Sequence, residues 1–434
     1  MRIFSWIIRF CGCFLLMSSV LIAQEKVPIP PAIAQEMQAL QKILAADPGN
    51  PAALFNLAMD YSTIEDDEKA LDLLERMAEA HTGMDPKAPA GRPFKGIANN
   101  PRFLSLITQI EKENPAVVRS TTVFSIHERD LLPEGIAYDA IGKTFYFSSI
   151  NKHKLVAVRL DGLAKDFKSP GQDGLCETFG LKVDAKRRIL WVVSDCFAPG
   201  AQNNAERVGL FQYDLKMGTL RFKHLLPPNA KGFLNDVAIN SAGEAFTTNT
   251  GTGEVFRASP NHDGLEPFLP QNSVVQANGI AISRDDKLLF VSGWTGVARV
   301  DISSRQVQLL SKPRTISDAN LDGLYFYKNS LIGIQNPDVH PGRVMCYHLS
   351  PDRKAITRSE VLEAYNPIFD IPTTGVLIGD SFFFAASPQF DKRREDGSMP
   401  PPGELQDIHV VQLKLGQSRS GDKRTEIRNA SCCN

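Results

Sequence analysis

A chain of 434 residues has room for about two or three domains, or for one large repeat architecture with an appendage. Its apolar fraction of 43% supports a real core, and 22% charged residues is ordinary for a folded protein. The net charge of -1 excludes the basic footprint of a nucleic-acid-binding protein, and no basic run along the chain is dense enough to indicate binding to a membrane surface.

The first segment reads as a leader. Met1-Arg2 and Arg9 flank and interrupt an apolar run that culminates in Phe14 to Met17 and Val20 to Ala23, with polar Gln24-Glu25-Lys26 after it. That pattern predicts a secretory signal peptide over residues 1–23 and export to a periplasmic or extracellular compartment. An uncleaved N-terminal anchor is the alternative, because Arg9 divides the run and the small-residue cleavage pattern is imperfect. No later stretch is long and apolar enough to span a bilayer, so the mature chain is expected to carry no membrane span. Cys176, Cys196, Cys346, Cys432 and Cys433 follow the leader, an odd number. Cys176 and Cys196 lie symmetrically about the turn at Lys186, so they face each other across a hairpin; a disulfide and two buried thiols are both compatible with that.

Residues 31–115 have a helical period. Ala34, Met37, Leu40, Ile43 and Leu44 recur at three- and four-residue spacing, and Asp47-Pro48-Gly49-Asn50-Pro51 ends one helix and begins the next, ALFNLAMDYS. EKALDLLERMAEAH and PRFLSLITQIEKEN follow. The order of these residues resembles a tetratricopeptide-type helical hairpin of little more than one repeat. It is expected to cap the next domain, or to offer a groove to a protein partner.

Beyond Pro115 the period becomes two, and six segments share one grammar. They are PEGIAYDAIGKTFYFSS, TFGLKVDAKRRILWVVS, LNDVAINSAGEAFTTNT, ANGIAISRDDKLLFVSG, LDGLYFYKNSLIGIQN and TTGVLIGDSFFFAAS. In each, a residue followed by Gly (or by Asp236) opens a short apolar strand, and a polar turn leads to a second one. The glycine positions (Gly135, Gly180, Asp236, Gly279, Gly323, Gly375) recur about every 43 to 56 residues, the size of a four-stranded propeller blade. The expected fold is mainly β: a six-bladed β-propeller over 118–415 behind a small N-terminal α-helical, tetratricopeptide-like domain. Ring closure can come from STTVFSIH as the outer strand of the last blade, with DIHVVQLKL as its third strand. SPQFDKRREDGSMPPPGEL is then a long polar loop within that blade, and the charged tail 416–434 is expected to be disordered.

The inner strands of a propeller all begin at one end of the central channel. The residues before the glycine positions therefore converge, although they are far apart in the chain: Glu134, Phe179, Asn235, Asn278, Asp322 and Thr374. Two carboxylates and two amides make a hard-oxygen set of the kind that holds a divalent metal. On this reading Asn278-Gly279, a strong hairpin signal in isolation, opens an inner strand, and the turn comes later, at Arg284 to Asp286.

The motifs PEG, ND, NG and DG, in this order and at blade spacing, resemble those of the gluconolactonase, regucalcin (senescence marker) and luciferin-regenerating-enzyme propellers over about Thr121 to Leu415. The resemblance implies metal ligation by Glu134, Asn278 and Asp322, with Asn235 beside them contacting metal or substrate. It implies Ca²⁺ first, with Zn²⁺, Mg²⁺ or Mn²⁺ as alternatives. It also implies hydrolysis of a lactone or related ester, with Asp322 as general base and Asn235 orienting the substrate. The chain departs from the sugar-lactone pattern at Phe233, where those members carry an Arg; a more apolar lactone or ester is expected. Trp294 is either a stacking surface for such a ligand or a packed aromatic. The competing function is a binding module with a structural metal, using its top face and helical hairpin to hold a partner. No GxSxG elbow or paired histidine motif offers other chemistry.

Overall fold

The computed structural model describes residues 29–87, 94–196, 208–227, 230, 232–336, 342–394 and 396–416. The expected leader, most of the CFAPGAQNNAERV loop and the tail beyond Gly416, with Cys432 and Cys433, lie outside the described residues.

Four helices come first: α1 (Pro31–Ala46), α2 (Pro51–Thr63), α3 (Asp67–Ala78) and α4 (Pro101–Glu113). Two of them start at Asn-Pro. The Asn50 side chain accepts from Ala53 N (3.0 Å), and Asn100 accepts from Arg102 N (2.9 Å). In both, the proline occupies the first helical position, where a missing N–H costs nothing. Their apolar faces close on Leu40, Leu54, Phe55, Leu74, Phe94 and Phe103, and Trp294 from the β region completes this core. No described helix is long and apolar enough to cross a membrane.

The rest is a six-bladed propeller of four-stranded antiparallel sheets. β1 (Thr121–Ile126) precedes the first complete blade. Blade 1 is β2 (Ile136–Asp139), β3 (Thr144–Ser149), β4 (Lys154–Arg159) and β5 (Ala164–Lys168); blade 2 is β6 (Glu177–Asp184), β7 (Ile189–Asp195), β8 (Gly209–Asp214) and β9 (Leu220–Leu225). Blade 3 is β10 (Leu234–Ile239), β11 (Ala245–Asn249), β12 (Glu254–Ala258) and β13 (Leu265–Leu269). Blade 4 is β14 (Ile280–Ile282), β15 (Leu288–Gly293), β16 (Gly296–Asp301) and β17 (Val307–Leu309). Blade 5 is β18 (Leu321–Tyr327), β19 (Ser330–Gln335), β20 (Arg343–Leu349) and β21 (Ile356–Ala364). Blade 6 is β22 (Gly375–Ile378), β23 (Ser381–Ala385) and β24 (Ile408–Lys414), and β1 pairs with β24 as its outer strand, so the ring closes as expected.

The helices rest on the propeller at the end of the channel where the inner strands begin. Asn56 Nδ2 donates to Trp294 O (3.2 Å), and buried Arg343 donates to Thr82 O (3.0 Å), Gly83 O (3.2 Å) and Gln335 Oε1 (2.7 Å). Gln335 pairs with both Leu321 and Arg343, which places this contact in the same row as the start of β18. Trp294 is therefore a packed aromatic of the interface and does not line the channel. Cys176 and Cys196 are disulfide-bonded, with Cα atoms 5.1 Å apart, one step beyond the Glu177–Asp195 pair of β6 and β7. Cys346 is a buried free thiol.

Candidate metal centre at the channel mouth

Glu134 and Asn278 each stand beside a glycine where the next inner strand presses too closely for a side chain. A Cβ on Gly135 would lie 2.2 Å from Phe179 O, and one on Gly279 would lie 2.3 Å from Asp322 O. Neither glycine has positive φ, so glycine is required here by close approach and not by a turn. The turn comes where the sequence places it, at Arg284 to Asp286, and Asp286 there has positive φ (56°). In one detail the structure differs from that reading. Glu134, Asn278 and Thr374 precede their strands, and Phe179, Asn235 and Asp322 sit in register shifts between β6 and β7, β10 and β11, and β18 and β19. These irregularities free the side chain from the alternation of the strand and let it turn toward the axis.

A chain of contacts runs between the blades at this level. Thr373 Oγ1 of blade 6 donates to Glu134 O (2.9 Å), and Thr374 Oγ1 donates to the same oxygen. Thr250 Oγ1 accepts from Asn235 Nδ2 (3.3 Å) and donates to Ala277 O (2.6 Å), while Thr248 Oγ1 donates to Asn278 O (2.7 Å). The Asn278 side chain hydrogen-bonds to Asp322, and Asn336 Nδ2 donates to Asp322 Oδ2 (3.1 Å). Glu134, Asn235, Asn278 and Asp322 thus meet at one mouth of the channel, from blades 1, 3, 4 and 5.

Three of the four carry oxygens without partners. Both carboxylate oxygens of Glu134, Oδ1 of Asn235 and Oδ1 of Asn278 are buried and accept no hydrogen bond among the described residues. Buried acceptors without donors are costly, and a cluster of them is the environment a cation relieves. The charges are tuned accordingly. Burial, then the neighbouring Asp322 and Asp236, push the Glu134 carboxyl well above the usual carboxylate range. Burial pushes Asp322 up to about 6, against the hydrogen bonds from Asn336 and Asn278. No group of three or more His, Cys, Asp or Glu side chains is set for a metal among the described residues. The set is a mixed one, two carboxylates and two amides, all hard oxygen donors.

Three groups in the channel escaped the sequence reading of the site. Asp236 occupies the glycine position of blade 3; it accepts from Val237 N (2.7 Å) and from Ile280 N of blade 4 (3.4 Å). Lys182 of blade 2 faces it, and its ammonium lies 4.6 Å from the ring centroid of Tyr325. Tyr325 accepts from Gly375 N (2.7 Å) and so ties blade 5 to blade 6. Burial lowers the Lys182 pKa while Asp236 and Glu134 oppose it. The signal was visible: Asp236 is the exception among five glycines, and Lys182 is the charged residue among Ala137, Ala238, Ala281, Tyr325 and Leu377 at the equivalent step of the other strands. With the three carboxyls and the ammonium all ionised the net charge would be minus two, which one divalent ion would neutralise.

From Lys182 and Tyr325 downward the channel opens into a cavity of about 340 Å³ that they line together with Ile239, Ile280, Ile282 and Val376. It lies toward the opposite end from the oxygen cluster. On the rim of the upper mouth, Phe179 and Phe233 meet edge to face with centroids 4.8 Å apart. Phe390 and Met399 pack against the same apolar cluster. Both come from the Ser387–Leu405 loop, expected from its sequence to be a long polar loop within blade 6. Arg393 Nη2 to Glu177 Oε1 (3.2 Å) instead draws that loop across to blade 2.

No family model matches the chain, and no curated protein matches it. Solved structures do. A gluconolactonase from Xanthomonas campestris is 14% identical over 70% of this chain and 99% of its own, with a TM-score of 0.45. A calcium-binding protein, regucalcin, from Agrobacterium tumefaciens is 17% identical over 70% and 96%, with a TM-score of 0.48. A luciferin-regenerating enzyme is 14% identical over 70% and 96%, with a TM-score of 0.46. The likeness is one of propeller fold.

Proposed function

We propose that the protein is an exported, metal-dependent hydrolase of a lactone or related ester. The observation that carries this reading is the group of buried acceptor oxygens without donors on Glu134, Asn235 and Asn278, beside the carboxylate of Asp322. These four residues would hold the ion, and a donor set made only of carboxylate and amide oxygens favours Ca²⁺ over softer metals. Such an ion supplies Lewis-acid polarisation of a carbonyl and charge for the developing oxyanion.

The chain's own groups supply the rest. Asp322 is held by Asn336 and Asn278, and its carboxylate takes the proton of the attacking water. Asn235 is steadied through Nδ2 by Thr250 and orients the substrate. The side chains on the rim, Phe233, Phe179, Phe390 and Met399, support an apolar substrate over a polyhydroxylated one. The Cys176–Cys196 disulfide supports an oxidising compartment, in keeping with the apolar leader.

The test is a panel of aliphatic and sugar lactones and aryl esters, assayed with Ca²⁺, Mg²⁺, Mn²⁺ or Zn²⁺ and with a chelator, alongside metal analysis of the purified protein. Metal-dependent turnover of the apolar members is expected. A panel unresponsive to every ion, with the metal bound, would remove the hydrolase reading and leave a binding module.

A further inference from the structure

We propose that the edge of blades 1 and 2 farthest from the candidate metal centre is a docking surface for a membrane bearing anionic lipids. Strand register defines this edge. Thr144 pairs with both Asp139 and Arg159, so the β2–β3 and β4–β5 turns of blade 1 lie side by side. Ile189 pairs with both Asp184 and Asp214, which does the same for the β6–β7 and β8–β9 turns of blade 2. A bond from Arg188 Nη2 to Asp139 Oδ2 (2.7 Å) joins the two blades there.

Four large apolar side chains project from these turns: Ile141 (70% exposed), Met217 (70%), Leu163 (56%) and Leu160 (52%). They are four of the nine large apolar residues exposed among the described residues, and the two most exposed are among them. Single exposed apolars are ordinary, but four on adjoining turns form a patch that needs a partner.

The charge around them selects the partner. Lys143, Lys165, Lys186 and Lys216 are exposed on or beside the same turns, with no ion-pair partner among the described residues. Of the carboxylates on these turns, Asp139 is paired with Arg188, Asp184 with Arg187 and Asp214 with Arg221, while exposed Asp161 has no ion-pair partner among the described residues and is outnumbered by the four lysines. A chain whose net charge is -1 thus gathers free cations around its most exposed apolar tips. No run of basic residues along the sequence marks this surface, because separate turns of two blades assemble it. Apolar tips that enter the headgroup layer, ringed by lysines, fit an anionic bilayer. Docked this way, the metal centre would lie at the other end of the channel, away from the bilayer and on the face where the helices rest.

The test is cosedimentation of the full chain with vesicles of phosphatidylcholine, with and without phosphatidylglycerol, at low and high salt. Binding is expected only with the anionic lipid and should weaken as salt shortens the Debye length. Lys143→Gln, Lys186→Gln and Lys216→Gln should each lower partitioning by about fivefold. Ile141→Ser with Met217→Ser should remove most of what is left. All five side chains are exposed, so the melting temperature should not move, and hydrogen exchange should slow in these turns when vesicles are added. Equal binding to both vesicle types, or variants that bind like the parent as an inserted N-terminal segment would make them do, overturns the proposal.

Discussion

The two ends of the propeller channel are built from the same six short strands, yet they have opposite chemistry. At the upper mouth stand Glu134, Asn235 and Asn278, with acceptor oxygens that no described residue satisfies, beside the Asp322 carboxylate held by Asn336. A few residues further along the same strands, Ile239, Ile282 and Val376 line a cavity that Lys182 and Tyr325 also border. Between them lies the layer of Asp236, Lys182 and Tyr325, where charges and donors are matched to one another. The inner strands can carry an unsatisfied layer because the layers beneath it supply stability. Destabilised oxygens at one level and compensated ones at the next are what a binding site needs from its scaffold.

Substitutions can separate these layers. The largest expected effect is on chemistry: Asp322→Ala should lower kcat/KM for any substrate identified by about 10²–10⁴-fold, and unchanged turnover would take Asp322 out of the mechanism. Next is Asp236→Ala, which strips Val237 N and Ile280 N of their side-chain acceptor and removes one of the two negative charges that act on half-buried Lys182. Chemical denaturation should register a loss of about 1–3 kcal/mol, and a loss within error of zero would mean that these donors are satisfied elsewhere.

Smaller and confined to the upper mouth, Glu134→Gln should weaken metal binding by about 10–100-fold, in line with the loss of a charged ligand, read by chelator competition. Parental affinity in that variant would exclude Glu134 as a ligand. The same layer predicts a pH dependence. Glu134 and Asp322 have raised pKa values in the metal-free protein, so they hold protons at low pH, and metal must displace them. Affinity should fall as pH drops through about 6, by up to about tenfold per pH unit for each proton released. A flat profile in calorimetric titrations would contradict this coupling. The smallest effect belongs to the middle layer: Tyr325→Phe leaves Gly375 N without its acceptor and should cost about 1–2 kcal/mol in thermal unfolding, with metal content unchanged.

The propeller was legible because its units repeat. Six strand openings at blade spacing, and a strand on each side of the chain available for closure, left few other arrangements. The oxygen set followed from the topology, since six equivalent positions must converge on an axis. Other features depend on which blade faces which across that axis, and sequence period carries no such information. The Asp236–Lys182 pair is one, visible as an oddity at a glycine position but without an assigned partner. The Ser387–Leu405 loop is another: it reads as polar, yet Phe390 and Met399 use it to reach blade 2. The helices were expected to cap the propeller, but their landing place on Trp294 and Arg343 depends on surface shape. The cysteine pair remained open because facing positions in a hairpin suit a disulfide and two thiols equally well.

The seam between β1 and β24 has a consequence for how the protein is made. Thr121 pairs with Gln412, so the last sheet cannot form until nearly the whole chain has emerged. Five blades can assemble in order during synthesis, while β1 waits as an unpaired edge beside helices that are already complete. Contacts of such long sequence separation are slow to form and expose that edge to mispairing in the interval. A nonsense codon shortly before Ile408 would therefore cost more than one strand: it would leave an open crescent with a sticky edge at each end, a substrate for chaperones and proteases and not a smaller working protein.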